Sequence, residues 1–325
     1  MASKAALQIA AAVALLGVGL AFGYGAGAQD TPNQGAKNTL QPNQVMRIGD
    51  KVITAEQLIA RIWDQESVMP ERQRVLVSSL TYLRDTSLLD LEAGRQKLTI
   101  AAEEQNLVTT QQLDLIKQRI HEDTGGMLPY EEWLKQQNLK KDEFESYVRD
   151  RARVILLKRL LVTHFEKTED SVEASHILVT QLADAKDLHR RLKETPANKL
   201  HEKFEDLAVS RSEDPSAGVT KGLLPRLFRN DGTLVKEAED AIWSLKDGEY
   251  SEPVKTSYGY HIFKRNRTYT PAKKSLDEMR GELMKSPDVA EENFNRWVRW
   301  VFNTQKYPVQ RRLPGYDCKP DQPIK

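Results

Sequence analysis

Two of the six histidines, His176 and His261, stand inside short apolar segments of the sequence. Segment 174–179 contains His176 and segment 260–264 contains His261, and both have the length and composition of β-strands, the first apolar on both faces and therefore buried. Two imidazoles on adjacent buried strands can hydrogen-bond each other, and a nearby carboxylate can fix their tautomers. Two such histidines can also do no more than satisfy each other in a core. The residue types alone leave a functional and a structural role open.

Other kinds of site chemistry are excluded by residue counts and context. Cys318 is the only cysteine, so the chain cannot form an internal disulfide or a cysteine cluster that holds zinc or iron and sulfur. The other four histidines stand in charged helical contexts and are predicted at the surface: His121, His164, His189 and His201. No pair among the six has the context of a metal site. We therefore predict neither a metal nor a cofactor.

The composition limits the classes of protein to which the chain can belong. It has 325 residues, with 48 Lys and Arg against 47 Asp and Glu, so its formal net charge is +1. This balance excludes a net field that would draw the chain onto nucleic acid or an anionic membrane. With 39% hydrophobic and 29% charged residues it can bury a core, and it is not a polytopic membrane protein. The length predicts about two domains.

The N-terminal segment 1–28 is the strongly apolar part of the sequence. Lys4 is the only charged residue before Asp30, and Ala, Leu, Val and Gly dominate the positions between them. A basic start, an apolar middle and small residues before Gln29 are typical of a cleaved export signal. An uncleaved anchor is the alternative, because about 20 apolar residues can span a bilayer. Both interpretations place the remaining chain in the periplasm or another extracytoplasmic space, and they limit membrane contact to this segment.

A polar stretch and a short hairpin follow. Residues 29–44 are rich in Gln, Asn, Pro, Gly and Thr without apolar periodicity, which predicts a flexible linker. The Gly-Asp pair at 49–50 separates two short apolar runs, as in a β-hairpin. Thr54 and Gln57 have the spacing of a capping box, so a helix is predicted to begin there.

The next block of the sequence is helical. A long helical pattern begins at Pro70, and its apolar stripe contains Leu76, Leu80, Leu83 and Leu91. Glycine and proline at 125–129 interrupt the pattern before a second helical block with the same periodicity. Residues 45–171 are therefore predicted to form one helical domain.

The pattern changes at Glu173. The buried strand 174–179 is followed by helical patterns whose apolar residues are Leu188, Leu192, Phe204, Leu207 and Ala208 for two helices and Ala238, Ala241, Ile242 and Leu245 for a third. Two further strands are predicted at 250–255 and 260–264, joined by a hairpin-like turn. The order is strand, helices, strand, helix, strand, strand.

Segment 172–267 resembles the parvulin-type peptidyl-prolyl isomerases. The resemblance rests on an ordered set of residues: Ala174, Ser175, His176, Ile177, Leu178, Val179, Phe204, Leu207, Ala208, Ser212, Glu213, Asp214, Ala217, Gly222, Asp240, Ala241, Leu245, Gly248, Ser251, Glu252, Pro253, Val254, Gly259, Tyr260, His261 and Ile262. Each piece is short, but their order and spacing match from end to end. The resemblance implies an α+β fold with a four-stranded antiparallel sheet and about four helices. It also implies an enzyme that isomerises Xaa-Pro bonds.

The flanking segments resemble the chaperone region of exported foldases such as SurA and PrsA. Ser275 and Glu278 form a capping-box pattern, and a later helical stripe contains Phe294, Trp297, Val298 and Val301. In SurA-like foldases the C-terminal segment returns to the N-terminal helices, so the resemblance implies that 268–305 packs on the helical domain. Residues 306–325 contain four prolines and are predicted to form an extended tail.

The resemblance also implies catalytic residues. Rotation about an Xaa-Pro bond has a barrier of about 18–20 kcal/mol and needs no nucleophile or cofactor. It needs an apolar slot for the proline ring and a dry polar floor that binds the twisted amide preferentially. The family places two histidines and a Cys or Asp in that floor, which correspond to His176, His261 and Asp214. The segment 212–215 could instead be a turn whose acidic side chains are solvated.

The proline slot shows departures from the family pattern. The slot positions correspond to Leu224, Leu234 and Ala238, so an aromatic wall is missing at Ala238, and Pro225 replaces a glycine of the preceding turn. Phe228 or Trp243 could refill the space. The predicted substrate-binding residues are Leu224, Leu234, Ala238, Phe228, Thr256 and Tyr258.

Two hypotheses for function follow. Parvulins that require phosphoserine before proline have a basic cluster in a long loop after the first strand, whereas 180–185 is short and contains no base, so unphosphorylated substrates are predicted. The first hypothesis is an isomerase and chaperone that acts on unfolded or nascent exported polypeptides, and the three polar floor residues favour it. The second is a chaperone or scaffold whose parvulin domain has weak or no turnover, which Ala238 and Pro225 favour.

Overall fold

The chain forms two compact units. A computed structural model describes residues 44–55, 57–58, 72–305, 307 and 309–311. One unit contains the described residues up to Phe165 and from Ser275 onward, and we call it the helical unit; the sheet unit comprises Glu166–Lys274. The predicted signal or anchor and the predicted linker, except Gln44, lie outside the described residues, as does Pro70. No helix among the described residues has both the length and the apolar character needed to cross a membrane.

The elements, in chain order, are β1 (Gln44–Ile48), β2 (Lys51–Thr54), α1 (Arg72–Arg95), α2 (Ala102–Asp123), α3 (Tyr130–Gln136), α4 (Lys141–Thr168), β3 (Ser171–Val179), α5 (Leu182–Lys193), α6 (Leu200–Arg211), α7 (Ala217–Thr220), β4 (Leu227–Phe228), α8 (Lys236–Ser244), β5 (Val254–Thr256), β6 (Gly259–Tyr269), α9 (Leu276–Leu283), α10 (Glu291–Gln305) and β7 (Val309–Arg311). A 3₁₀ turn, Ala197–Lys199, precedes α6.

Short-range signals in the sequence account for several helix and strand boundaries. β1 and β2 pair as an antiparallel hairpin around Gly49 and Asp50, as predicted. The Gln57 side-chain oxygen accepts a hydrogen bond from the Thr54 amide at 2.9 Å, and the Thr54 hydroxyl accepts one from the Gln57 amide, so the predicted capping box is confirmed. Ser275 and the Glu278 carboxylate form the second predicted capping box, at the start of α9.

In the helical unit, the N- and C-terminal segments pack together. The aromatic rings of Phe165 on α4 and Trp300 on α10 lie 4.8 Å apart between centroids. The Arg280 guanidinium on α9 binds the Glu104 carboxylate on α2 and also donates to the Thr99 carbonyl. The packing of the C-terminal helices on the N-terminal ones is therefore confirmed, because apolar contacts and a bidentate ion pair join segments that are far apart in sequence.

The end of the described chain also returns to the helical unit. β7 adds to β1, so the small sheet has the order β2-β1-β7. The Tyr307 hydroxyl donates to the buried Glu92 carboxylate at 2.9 Å. Sequence analysis predicted an extended tail over 306–325; residues 309–311 are extended, and they pair with a strand that begins 265 residues earlier. The residues after 311 lie outside the described ones.

The sheet unit contains four antiparallel strands in the order β4-β3-β6-β5, with β3 and β6 at its centre. The α+β prediction and its four-stranded antiparallel sheet are confirmed. One apolar cluster, with Ile177 of β3 and Ile262 of β6, packs against α5 and α6. A second cluster, with Ala174 of β3 and Phe263 of β6, packs against α8. Successive side chains of a strand alternate between faces, so these two clusters occupy opposite faces of the sheet.

The two central strands are longer than predicted: β3 is Ser171–Val179 rather than 174–179, and β6 is Gly259–Tyr269 rather than 260–264. A third strand begins later than predicted. Sequence analysis placed it at 250–255, whereas β5 is Val254–Thr256 and Tyr250 forms only an isolated bridge to Lys264. Pro253 has no amide hydrogen to donate, so regular pairing cannot continue through it. Ser251 compensates, because its hydroxyl accepts from the Phe263 amide while its own amide donates to the Phe263 carbonyl.

Candidate active site

The central strands place both predicted histidines on one face of the sheet. His176 of β3 is the cross-strand partner of Phe263 on β6, and His261 precedes Phe263 by two residues. The period of two along a strand therefore directs all three side chains to the same face. The His176 amide also donates to the Gly222 carbonyl at 2.8 Å, which ties the strand to the loop that precedes β4.

The two imidazoles belong to a chain of side-chain hydrogen bonds. The Nδ1 atoms of His176 and His261 lie 3.3 Å apart. Nε2 of His176 lies 2.7 Å from Oδ2 of Asp214. Nε2 of His261 lies 2.8 Å from the hydroxyl oxygen of Thr256 on β5. The structure thus brings the three predicted catalytic residues together, and it adds Thr256 to them.

The Asp214 carboxylate is held by its own loop. Oδ1 accepts hydrogen bonds from the Ser216 amide and hydroxyl, both at 2.7 Å, so the segment forms an Asx turn rather than a solvated acidic turn. The loop is also attached to β3: the Glu213 amide donates to the Leu178 carbonyl, and the Leu178 amide donates to the Ser212 hydroxyl. These bonds fix the carboxylate beside the strand that carries His176.

Burial controls the charge of the site. Burial lowers the pKa of His176 from its ordinary value, although the Asp214 carboxylate opposes the change. Burial, together with the neighbouring His176, lowers the pKa of His261 to about 4. Burial also acts to raise the pKa of Asp214, but the hydrogen bonds from Ser216 and His176 outweigh it and hold that pKa below its usual range. At neutral pH the site therefore holds two neutral imidazoles and one carboxylate.

An ionised carboxylate determines the direction of every hydrogen bond in the chain. Asp214 can only accept, so Nε2 of His176 carries the proton and its Nδ1 is an acceptor. His261 must then donate from Nδ1, which leaves its Nε2 to accept from the Thr256 hydroxyl. The Tyr258 amide donates to the Thr256 oxygen at 3.1 Å and completes the chain. Each donor points towards Asp214, so successive bonds polarise one another.

Three of the predicted substrate-binding residues belong to one apolar cluster. Leu224, Leu234 and Ala238 pack with Phe263 in the cluster on this face of the sheet. Trp243 is a partly buried member of the same cluster, and the Arg229 guanidinium lies 4.6 Å from its ring centroid. The cluster therefore has aromatic side chains even though alanine stands at 238.

The other predicted substrate-binding residues have different surroundings. Leu227, rather than Phe228, belongs to the cluster, and alternation along β4 turns the buried Phe228 to the opposite side. Thr256 binds His261, as described above. The Tyr258 side chain is 65% exposed in the turn between β5 and β6.

Two residues of the site, Ser216 and Phe263, were not predicted. Ser216 follows Asp214 by two positions, the spacing at which an aspartate accepts from the backbone, so the Asx-turn pattern could have identified it. Phe263 follows His261 by two positions on a predicted strand, so the same period that places the histidine also places the ring. In both cases the signal was a short local spacing.

The remaining surroundings bear on substrate charge and on metal binding. The connection from β3 to α5 consists of two residues, and the Thr180 amide and hydroxyl both donate to the Glu213 carboxylate. The acidic side chain of Glu213 therefore lies at the C-terminal end of β3. Among the described residues, no group of three or more His, Cys, Asp and Glu side chains is arranged to hold a metal ion.

Part of the chain is similar to known proteins. The family model of the PPIC-type PPIase domain, called Rotamase, matches residues 172–267. A foldase protein PrsA of Staphylococcus aureus strain Newman is 30% identical over 193 residues, which are 55% of this chain and 60% of the relative. The chain thus matches less than two thirds of the length of this curated relative.

Two solved structures are also similar. The parvuline NmPin of Nitrosopumilus maritimus is 36% identical, covering 30% of this chain and 95% of that chain, with a TM-score of 0.26. A structure reported for the SurA-like chaperones PEB4 and Cj1289 of Campylobacter jejuni, the second described as a periplasmic protein, is 26% identical. It covers 68% of this chain and 90% of that chain, with a TM-score of 0.32. Because the family model matches them, residues 172–267 belong to the PPIC-type, or parvulin, family of peptidyl-prolyl isomerase domains.

Proposed function

We propose that this chain is a peptidyl-prolyl cis/trans isomerase that assists the folding of exported polypeptides. The observation that carries the proposal is the hydrogen-bonded chain from Thr256 through both histidines to Asp214, beside an apolar cluster. The partly buried side chains at the edge of the cluster, Leu224 and Leu234 among them, offer a surface for a proline ring, and the chain of hydrogen bonds offers a preorganised polar floor. Isomerisation requires nothing beyond these two parts, because no bond is made or broken.

The fixed negative charge of Asp214 gives the floor a way to favour the twisted amide. Resonance in a planar amide places partial negative charge on the carbonyl oxygen. A twisted amide has lost this resonance, so its oxygen carries less negative charge. A carboxylate near the carbonyl oxygen therefore raises the energy of the planar state more than that of the twisted state. Only such a difference accelerates the reaction, since equal binding of both states leaves the rate constant unchanged.

The first prediction is the activity itself. We expect a chain starting near Asp30 to accelerate exchange of an unphosphorylated Leu-Pro peptide at neutral pH, measured by two-dimensional exchange NMR. The matched control is the Asp187→Asn variant, which loses a surface carboxylate of α5 that binds Arg190 and should keep the full rate. A wild-type rate equal to that in buffer would instead support the second hypothesis, a holding chaperone with an inactive parvulin domain.

We assign a polypeptide-holding activity to the helical unit. Three large apolar side chains of this unit are well exposed: Leu107 and Leu115 on α2, and Met127 in the turn that follows it. Exposed apolar side chains of this kind can bind unfolded chains. The apolar N-terminal segment supports an extracytoplasmic location, either soluble after cleavage or anchored.

The second prediction tests this division of labour. Val172 and Thr268 are cross-strand partners, so residues 172–267 can be replaced by a short linker without separating the remaining ends. We expect the shortened chain to suppress aggregation of an unfolded client as well as the full chain does. In the full chain, Leu107→Gln combined with Leu115→Gln should reduce holding several-fold, whereas Val219→Gln, at an exposed site of the sheet unit, should not. If holding disappears on deletion while circular dichroism shows folded helices, the client site lies in the sheet unit.

A further inference from the structure

Phe263 lies between the imidazole pair and the apolar cluster. It is the cross-strand partner of His176, it lies on the same face as His261, and it packs with Leu227, Ala238 and Ile242. We propose that Phe263 is a positioning residue: its ring covers the buried faces of both imidazoles, keeps water from them and holds them in the orientation that joins their Nδ1 atoms.

The geometry of the three rings supports this role. The rings of Phe263 and His261 are nearly parallel, at 3°, with centroids 5.2 Å apart. The rings of Phe263 and His176 are inclined by 20°, with centroids 6.2 Å apart. The two imidazoles themselves lie 5.5 Å apart at 23°. One phenyl ring therefore lies at offset-stacking distances from both imidazoles and is inclined by no more than 20° to either of them.

The backbone fixes Phe263 in place. Ser251 binds both the amide and the carbonyl of Phe263, at 3.0 and 2.8 Å. The residue is only 1% exposed, and both imidazole residues are less than 10% exposed. A ring that is held at its backbone and enclosed by packed side chains has little freedom to turn, so it can impose an orientation on its neighbours.

Few charged groups lie around His261 that could set its protonation state. His176 faces it from β3, Asp214 follows beyond His176, and β5 contributes the uncharged Thr256. The residues of α8 that belong to the cluster, such as Ala238, are apolar. The neutral state of the imidazoles thus depends on exclusion of water, and Phe263 provides the apolar surface on the β6 side.

Phe263 should therefore control the imidazole titration, and the third prediction follows from this. In the full chain labelled at histidine, long-range ¹H–¹⁵N NMR should show that wild-type His261 titrates near pH 4, as burial dictates. We expect Phe263→Leu to raise that pKa by roughly half a unit and Phe263→Thr by about one unit or more. The smaller and more polar the side chain at 263, the more water reaches the His261 imidazole. Leucine keeps the surface apolar and is the conservative variant that rescues part of the effect.

The matched control is Phe204, which is buried to the same extent in the cluster on the opposite face of the sheet. Phe204→Leu should destabilise the chain by a similar amount, because it leaves a similar cavity. It should leave the His261 titration within roughly 0.2 units of the wild-type value. Equal shifts in both Leu variants, no shift in either Phe263 variant, or a wild-type titration near the ordinary histidine value would each overturn the proposal. If Phe263→Thr does not fold, the pair of Leu variants decides alone.

The consequence for turnover rests on the proposed function. The pH at which the isomerase rate falls should lie about one unit higher for Phe263→Thr than for the wild type, because a protonated imidazole cannot accept from its neighbour. The two tests fail separately. An inactive wild type with a low His261 titration would remove the proposed function and leave the role of Phe263 intact.

Discussion

Gly222→Ala should reduce the free energy of unfolding by about 3 kcal/mol and lower the melting temperature by several degrees. Gly222 has φ +79°, a left-handed conformation that side chains with a Cβ rarely adopt. A Cβ built at this position would lie 2.5 Å from the His176 carbonyl oxygen and 2.9 Å from the Ala208 Cβ. Neither neighbour is the far end of a flexible side chain, so the backbone itself must move.

The movement should also reduce activity. The Gly222 carbonyl accepts from the His176 amide, so a displaced loop pulls on the residue at the centre of the hydrogen-bonded chain. A displacement of His176 by a few tenths of an ångström would lengthen the hydrogen bond between the Nδ1 atoms of the two histidines, which are already 3.3 Å apart. We expect the folded variant to isomerise Xaa-Pro bonds at least about tenfold more slowly than the wild type, because misplaced catalytic groups lose preorganisation.

A second glycine separates the two causes. Gly248 has φ +88°, but no heavy atom lies within 4 Å of the Cβ that would be added there. Gly248→Ala therefore measures backbone strain without a clash, about 1–2 kcal/mol. Thermal and chemical unfolding of both variants gives the difference. Equal losses at the two positions would mean that the contact with His176 has no energetic consequence.

The local patterns of the sequence predicted much of this site. Short apolar segments placed His176 and His261 on predicted strands, the first of them buried, and the ordered family motifs added Asp214 and Leu224. These signals are local, because a strand or turn is determined by neighbouring residues. The structure brings the same residues together over separations of 38 and 85 positions, and only the register of the sheet determines which atoms meet.

Features that depend on distant partners were not predicted. Phe228 and Trp243 were the predicted replacements for the aromatic wall missing at Ala238; Trp243 does belong to the cluster, but the buried ring in it is that of Phe263, on another strand. Likewise, the pairing of β7 with β1 joins the two ends of the described chain, and no periodicity of a three-residue strand can indicate its partner. Packing and pairing across long sequence separations are therefore the part that sequence patterns leave open.

The remaining prediction concerns the charge at the end of the hydrogen-bonded chain. Asp214→Leu should lower kcat/KM for an Xaa-Pro peptide by about 100-fold, because it removes both the charge and the acceptor that fixes the His176 tautomer. Asp214→Asn keeps one acceptor oxygen, which can serve His176 or Ser216 but not both, so it loses the charge and one of the two acceptors. A charge-assisted hydrogen bond is about twice as strong as a neutral one, so we expect a loss of about tenfold for this variant.

The supporting residue should have a smaller effect. Ser216→Ala removes the hydroxyl donor to Oδ1 and leaves the Ser216 amide in place, so we expect a loss of about threefold, less than the value of one full hydrogen bond. The surface variant Asp187→Asn is again the control. If Asp214→Leu and Asp187→Asn had the same rate as the wild type, the carboxylate of Asp214 would have no role in turnover.

The pH dependence of stability identifies the same charge independently of turnover. Hydrogen bonds from Ser216 and His176 hold the pKa of Asp214 below its ordinary value, so the ionised carboxylate stabilises the folded state above that ordinary value. This stabilisation is lost as the pH falls through the lowered pKa. Asp214→Asn should therefore be less stable than the wild type at pH 7, and the difference should shrink as the pH falls below the ordinary aspartate value of 3.8 towards the lowered pKa. Unfolding by urea at both pH values measures the difference, and a gap that does not change with pH would mean that Asp214 has the same pKa in the folded and unfolded chain.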